Sequence, residues 1–417
     1  MNPPRPRHAA GAQSQSRLRR ATQGWLAAQA LLLAACAGAG GGAGRSGELP
    51  AFYTPAPAEL AGPPGSIIRH EALPGLVVPE GTAYRLLYRS TDPRDRPIAV
   101  SAVLVVPAAP APAGGRPVVA WDHPTSGVVR RCAPSLSPDV PKTIQGLADL
   151  IARGYAVVAT DYPGLGTPGP HPYLTGASEG RAVLDAVRAA HAFAPAQAGT
   201  RFVVWGHSQG GHASLFAAAL AQDYAPELQL QGVAVAAPAT RLRALLHTVP
   251  GTTMNASMVA MLLHSWSRVL GASLADMVPE ADIPHVERLA ATCIPPPWSG
   301  AEQPVLEPDP DLSFTILQDI AAIPPWGPFV TANTPGALPP AIPVFLAQGE
   351  ADTTIAPALT AAYMSRLCAA GSWVRMVTLP GVDHRFIARE AAPLAARWIG
   401  DRFAGRPAPD DCPPPVR

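Results

Sequence analysis

Short runs of branched apolar residues, closed by glycine, proline or an acidic residue, alternate along the chain with stretches whose apolar residues recur every three or four positions. Tyr84-Arg85-Leu86-Leu87-Tyr88 and Ile98 to Val106 predict two early strands, the second ended by Pro107. Pro117 to Trp121 and Ala156 to Thr160 carry no polar alternation, which predicts strands buried on both faces. Between them Ile144, Leu147, Leu150 and Ile151 fall at helical spacing and predict a helix over 144–153. Val183, Leu184, Val187 and Ala190 form the same kind of stripe and predict a helix over 180–193. The rhythm continues with strands over 202–205, 232–237, 344–347 and 374–379 and helices over 209–222, 357–367 and 385–398. Alternation of this kind builds an α/β fold, a mainly parallel sheet with helices on both faces. Residues 241–340 break it with helical stretches, notably 256–269, and with Pro295-Pro296-Pro297-Trp298 and Pro324-Pro325-Trp326. Strand-like runs resume afterwards, so the interval predicts a helical cap inserted over the sheet rather than a separate domain.

Composition narrows the partners. Lys and Arg number 31 against 30 Asp and Glu, so no net field favours nucleic acid or an anionic surface. At the N-terminus Arg17, Arg19 and Arg20 precede an apolar run, Trp25 to Ala35, too short to span a bilayer as an ordinary helix, and together they predict a signal peptide over 1–36. Leu33-Ala34-Ala35-Cys36 fits a lipoprotein signal with acylation of Cys36 and attachment to the membrane of the cell envelope, while cleavage after Ala37 would instead discard the cysteine and release a secreted protein. Residues 37–65, rich in glycine, alanine and proline, predict a flexible linker ahead of a domain over 66–417. Cys132, Cys293, Cys368 and Cys412 form an even set in an exported chain, for which three disulfide connectivities are open. No C-x-x-C pair or accompanying histidine spacing predicts a metal site.

Chemistry concentrates in Val203-Val204-Trp205-Gly206-His207-Ser208-Gln209-Gly210-Gly211-His212. G-x-S-x-G follows a buried strand and opens an alanine-rich helix, and a sharp turn there needs glycine on both sides of the serine. Such a turn lifts Ser208 above the carboxyl edge of the sheet and aims the backbone N–H of Gln209 at a developing oxyanion. A serine nucleophile needs a base and the base an orienting acid. Asp352 follows the 344–347 strand and His384 follows the 374–379 strand, so both reach the same edge. Glu350 rivals Asp352 as the acid; Asp383, adjacent to His384, is a poorer fit, and His207 and His212 belong to the serine's own turn and helix and are read as packing residues. The second oxyanion donor is expected in Asp122-His123-Pro124-Thr125-Ser126-Gly127, and because Pro124 has no N–H the candidates are Thr125 and Ser126. Met254, Met258, Met261, Leu262, Leu263, Trp266 and Trp326 of the cap are candidate acyl-pocket residues, with ordinary packing an equal explanation.

The fragments "WDHPTSGVVRRCAPS", "GYAVVATDYPGLGTPGPHPYLTG", "SEGRAVLDAVRAA" and "VVWGHSQGGHASLFA", with "QGEADTTI" and "GVDHRF", resemble the secretory lipase family of α/β hydrolases over roughly residues 80 to 400. The resemblance implies an α/β-hydrolase fold with a lid formed by the insertion, a Ser208, Asp352 and His384 triad, hydrolysis of acylglycerols and other carboxylic esters, and no cofactor. It also implies bridges from Cys132 to Cys293 and from Cys368 to Cys412. His123-Pro124 stands where relatives commonly have His-Gly, a departure at the oxyanion segment. The triad alone does not separate ester from amide or peptide cleavage, and a catalytically silent binding protein on the same scaffold is the reading from another class.

Overall fold

The computed structural model describes residues 49–246, 253–296 and 313–413. The predicted signal peptide with Cys36, the start of the linker and Pro297-Trp298 lie outside the described residues, as does the Met254 side chain. Nine strands form one sheet in the order β1-β2-β3-β5-β4-β6-β7-β8-β9. They are β1 Ile67–Ala72, β2 Gly81–Thr91, β3 Pro97–Pro107, β4 Arg116–Asp122, β5 Ala156–Thr160, β6 Ala198–His207, β7 Gln229–Ala236, β8 Val344–Gly349 and β9 Val374–Leu379. From β5 to β9 the pairing is parallel, whereas β1, β2 and β3 join antiparallel at one side, so the mainly parallel sheet carries an antiparallel edge.

Helices α1 Val140–Thr143, α2 Leu147–Ala152, α3 Gly176–Ala192, α4 Gln209–Tyr224, α9 Pro357–Ala369 and α10 Ile387–Phe403 cover the two faces. Side chains alternate across a strand, and β4 displays the result: Val118 and Ala120 join the core beneath α3, α4 and α9, while Val119 and Trp121 join the core beneath α2 and α10. Both cores are dominated by apolar side chains, which explains the unbroken apolar runs in these strands. Strand β5 lies on one side of β4 and strand β6 on the other, so the chain reverses its direction of travel across the sheet at β4. The crevice at the carboxyl ends of such neighbouring strands is where α/β sheets hold ligands.

Between β7 and β8 the described residues contain no strand. They form α5 Leu242–Leu246, α6 Thr253–Leu270, α7 Ile283–Ala290 and α8 Trp326–Ala332, the helical insertion expected over 241–340. Trp266 and Trp326 are fully buried within it, and the Trp266 ring packs edge-to-face on Phe329 at 4.9 Å.

Two local expectations are corrected. The helix expected from Ile144 begins only at Leu147, because Gly146 adopts a left-handed φ of 79° and the Gln145 carbonyl accepts from Trp205 Nε1 at 3.0 Å. The linker expected over 37–65 is, from Leu49 onward, packed on the domain: Tyr53 is fully buried with its hydroxyl 2.7 Å from Ser135 Oγ, and Gly65 N donates to Arg89 O at 2.7 Å. Proline there fixes short turns instead of loosening the chain.

Candidate active site

Strand β6 ends at His207 and α4 begins at Gln209, which leaves Ser208 to make the whole turn, with φ 56° and ψ −114°. That conformation is strained for any residue with a Cβ, at roughly 1–3 kcal/mol, and persists only where its surroundings enforce it. They do. Ser208 N donates to Ala236 O of β7 at 3.0 Å, and Ser208 O accepts from His212 N at 3.1 Å and Ala239 N at 3.2 Å. A Cβ at position 210 would stand 1.8 Å from the Asp122 carbonyl oxygen and one at 206 would stand 2.2 Å from the Gly210 carbonyl, so the turn can close only with glycine at both places.

At the same sheet edge, the loop after β8 carries Asp352 and the loop after β9 carries His384. His384 Nε2 lies 2.9 Å from Ser208 Oγ and His384 Nδ1 lies 2.8 Å from Asp352 Oδ2. Asp352 is buried, and its other oxygen accepts from Thr354 N at 2.9 Å and Ile355 N at 2.7 Å. Oδ2 also accepts from Gln348 Nε2 at 3.2 Å, and Thr360 Oγ1 fixes Gln348 by donating to its Oε1 at 2.6 Å. The carboxylate is thereby fixed in plane toward the imidazole. Glu350 is exposed, and the Asp383 carboxylate accepts from Arg385 N at 3.0 Å and Phe386 N at 3.3 Å; neither stands as the histidine's partner. His207 packs its ring 4.9 Å from that of His384, and burial together with the neighbouring imidazole pushes its pKa well below the usual histidine range. It therefore presents a neutral face to His384.

A cleft opens over Ser208. It is lined by Ser208, Gln209, Tyr173, Leu242, Leu262 and Ile355, among others, and is narrow and partly open to solvent. Of the cap residues expected at an acyl pocket, Met258 and Leu262 line this cleft, while Met261, Leu263, Trp266 and Trp326 are buried in the packing of the insertion. Thr125 Oγ1 hydrogen bonds the Tyr173 hydroxyl at 2.9 Å, at the rim of the cleft. Ser126 faces the insertion instead, with its carbonyl accepting from Ile294 N at 2.9 Å and its hydroxyl buried without a partner. As the first residue of α4, Gln209 has an N–H with no carbonyl inside the helix to bond.

The bridges are Cys132–Cys293 and Cys368–Cys412. The first joins the segment after β4 to the insertion beyond α7, and the second joins α9 to the C-terminal segment. Among the described residues no group of histidine, cysteine and acidic side chains is arranged to hold a metal ion.

Beside Gln209 lies a buried polar cluster of which only His212 is named from the sequence, as a packing residue. Its members are His171, Glu179 and His212, each at most 1% exposed, and Asn333 beyond α8. The signal available was Glu179, a carboxylate on a face otherwise occupied by Gly176, Ala182 and Val183.

A family model for secretory lipases matches residues 142–411, a span that holds Ser208, Asp352 and His384. The chain belongs to the secretory lipase family. It is 28% identical over 393 residues to a Mycobacterium tuberculosis protein described as a "probable inactive lipase", covering 86% of this chain and 83% of the relative. It is 26% identical over 389 residues to a secreted triacylglycerol lipase of Malassezia globosa, covering 88% and 81%. Its fold is that of Candida antarctica lipase A, with a TM-score of 0.71 at 19% identity over 88% of each chain.

Proposed function

We propose that this protein is an exported serine hydrolase that cleaves carboxylic esters of acylglycerol type through an acyl-enzyme. The single observation that carries the reading is the unbroken relay from hydroxyl to imidazole to carboxylate, with contacts of 2.9 and 2.8 Å, on a strained turn beneath an apolar cleft. Ser208 Oγ attacks the ester carbonyl as its proton passes to His384 Nε2, and the new Oγ–C bond gives a tetrahedral oxyanion. His384 then protonates the leaving alkoxide as the C–O bond breaks, and a water activated by the same nitrogen releases the acid. Asp352 keeps the second ring nitrogen protonated and the ring in place. The Gln209 N–H and the Thr125 N–H serve as oxyanion donors, each worth about a hundredfold or more in rate.

The two bridges suit an oxidising compartment, as export requires. The address lies in residues 1–36, with Cys36 either acylated at the envelope or removed. The rival reading is a silent scaffold, to which the description of the mycobacterial relative gives weight. A fluorophosphonate probe separates the two: an active serine hydrolase is labelled at Ser208 and turns over 4-nitrophenyl butyrate, and Ser208→Ala loses both while remaining folded. Folded wild-type protein that takes up no probe would establish the silent scaffold.

A further inference from the structure

The cluster beside Gln209 has no role in the relay. Glu179, near the start of α3, is fully buried, and its carboxylate makes three hydrogen-bonded contacts, two with side chains of α4 and one with the cleft wall. Oε1 accepts from Gln209 Nε2 at 2.7 Å, so it holds the residue that follows the nucleophile. It also accepts from Leu174 N at 2.9 Å, in the segment that lines the cleft. Oε2 meets His212 Nδ1 at 2.8 Å, and the opposite ring nitrogen of His212 donates to the Asn333 carbonyl at 2.8 Å, just past α8 of the insertion. Asn333 in turn accepts from Gly176 N through Oδ1 at 2.8 Å, which closes the cluster back onto α3. Gln209 Nε2 has a second acceptor in His171 Nε2 at 3.0 Å; that ring donates Nδ1–H to Pro163 O at 2.8 Å, so the tautomer leaves Nε2 free to accept.

We propose that Glu179 is a positioning residue: it fixes the Gln209 N–H on the oxyanion and, through His212 and Asn333, locks that donor to the inserted helices. The inference rests on the ester-hydrolase reading for its kinetic consequence, but not for the mechanical coupling itself. The donor at residue 209 is a backbone group whose direction follows the first turn of α4, and the side chain of the same residue is the handle by which that turn is held. A buried carboxylate that meets α4 and the cleft wall directly, and the insertion through His212 and Asn333, makes the position of the insertion and the aim of the donor one variable. Without Glu179, two N–H groups and one ring nitrogen lose their partner in a region closed to water, and the first turn of α4 relaxes to satisfy them.

The chemistry specifies its own rescue. In Glu179→Gln the amide oxygen still accepts from Gln209 and Leu174, and the amide N–H can donate to His212 Nδ1 while His212 Nε2–H keeps the Asn333 carbonyl. In Glu179→Ala the contacts to Gln209, Leu174 and His212 Nδ1 all go. For hydrolysis of 4-nitrophenyl butyrate we expect Glu179→Ala to lower kcat about tenfold or more with KM changed less than about threefold, since a misdirected oxyanion donor acts on the transition state alone. Glu179→Gln should retain kcat within about threefold of wild type. Hydrogen–deuterium exchange reads the coupling without turnover: in Glu179→Ala exchange should rise together in residues 204–213 and in 326–336, and in Glu179→Gln in neither. Should Glu179→Ala prove too unstable to purify, Gln209→Met, which keeps the backbone N–H and removes the handle, is expected to show the same kcat loss and faster exchange in 204–213. A fall in melting temperature with kcat unchanged, or faster exchange confined to α3, overturns the proposal while leaving the hydrolase reading intact. Wild-type protein without turnover or probe labelling overturns the hydrolase reading, and the exchange experiment then decides the coupling by itself.

Discussion

Replacing Asp352 with asparagine isolates what the carboxylate does, because the fold offers the amide only one good orientation. Oδ1 of Asp352 accepts two backbone N–H groups, from Thr354 and Ile355, and Oδ2 accepts from His384 Nδ1 and Gln348 Nε2. An amide has one acceptor oxygen and one donor nitrogen. Turning its NH₂ toward the two backbone donors would leave both unsatisfied in a buried loop, at about 1–3 kcal/mol each. The oxygen therefore stays with Thr354 and Ile355, and the NH₂ faces His384. Nδ1 must then accept, the ring proton moves to Nε2, and the nitrogen facing Ser208 Oγ carries a hydrogen instead of a lone pair. The base is lost although every heavy atom stays near its place. The expected fall in kcat is on the order of 10⁴, equivalent to about 5.5 kcal/mol of transition-state stabilisation. Initial rates with 4-nitrophenyl butyrate at pH 7.5, together with the rate of fluorophosphonate labelling and a melting curve, measure it. A loss of less than tenfold in a variant that melts normally would show that the Asp352–His384 contact does not set the tautomer, and the assignment of the acid would have to change.

Three further outcomes are expected. Burial holds the His171 pKa down at about 3, so its stabilising contribution is complete above the unfolded value near 6.5 and is lost as pH falls toward 3; between pH 7 and pH 5 the wild type should lose about 2 kcal/mol of unfolding free energy that His171→Asn does not, as read by urea titration at both values. Removing the Cys368–Cys412 bridge by a double serine substitution frees a loop of 44 residues and should lower stability by up to about 4 kcal/mol, with kcat on a soluble ester unchanged. Ser208→Gly and Ser208→Ala both lose the hydroxyl, but only alanine keeps the strained Cβ, so glycine should be the more stable of the two by about 1 kcal/mol in spite of its greater unfolded-state entropy; the reverse order would contradict the positive φ at this turn.

The centres of strands β4 to β8 are legible in the sequence because burial on both faces leaves runs of β-branched and apolar residues; β9, at the other edge, is marked by Val374, Met376, Val377 and Leu379 between polar residues, and β5 and β9 have the predicted ends. Strand β1 is not, since Ile67-Ile68-Arg69-His70-Glu71-Ala72 lies at the sheet's edge with polar side chains in partial contact with water and carries no period for burial to impose. The relay residues are legible for a topological reason: strand ends in a parallel sheet share an edge, so a serine, an aspartate and a histidine each placed after a strand converge without any knowledge of distance. Disulfide pairing has no such rule, and only the resemblance indicates which cysteines meet. Within the buried cluster Glu179 leaves a mark, a carboxylate on an otherwise apolar helix face; His171 and Asn333 lie outside regular elements, where nothing periodic marks a polar side chain.

Fold likeness by itself leaves open whether a member of this family turns over substrate, because a TM-score of 0.71 survives at 19% identity and one relative is described as inactive. What bears on that question is local free energy. A scaffold with no use for a nucleophile gains nothing from a serine at φ 56°, where glycine relieves the strain, or from a buried carboxylate that collects four donors to hold one histidine. Both features cost stability unless the positioned hydroxyl and the oriented ring are used. The same reasoning extends to Glu179, whose burial is offset only because Leu174, Gln209 and His212 meet it at once. Strain at the turn, order in the Asp352 loop and a shared carboxylate beside Gln209 thus point the same way: the costs gather where a reaction would repay them.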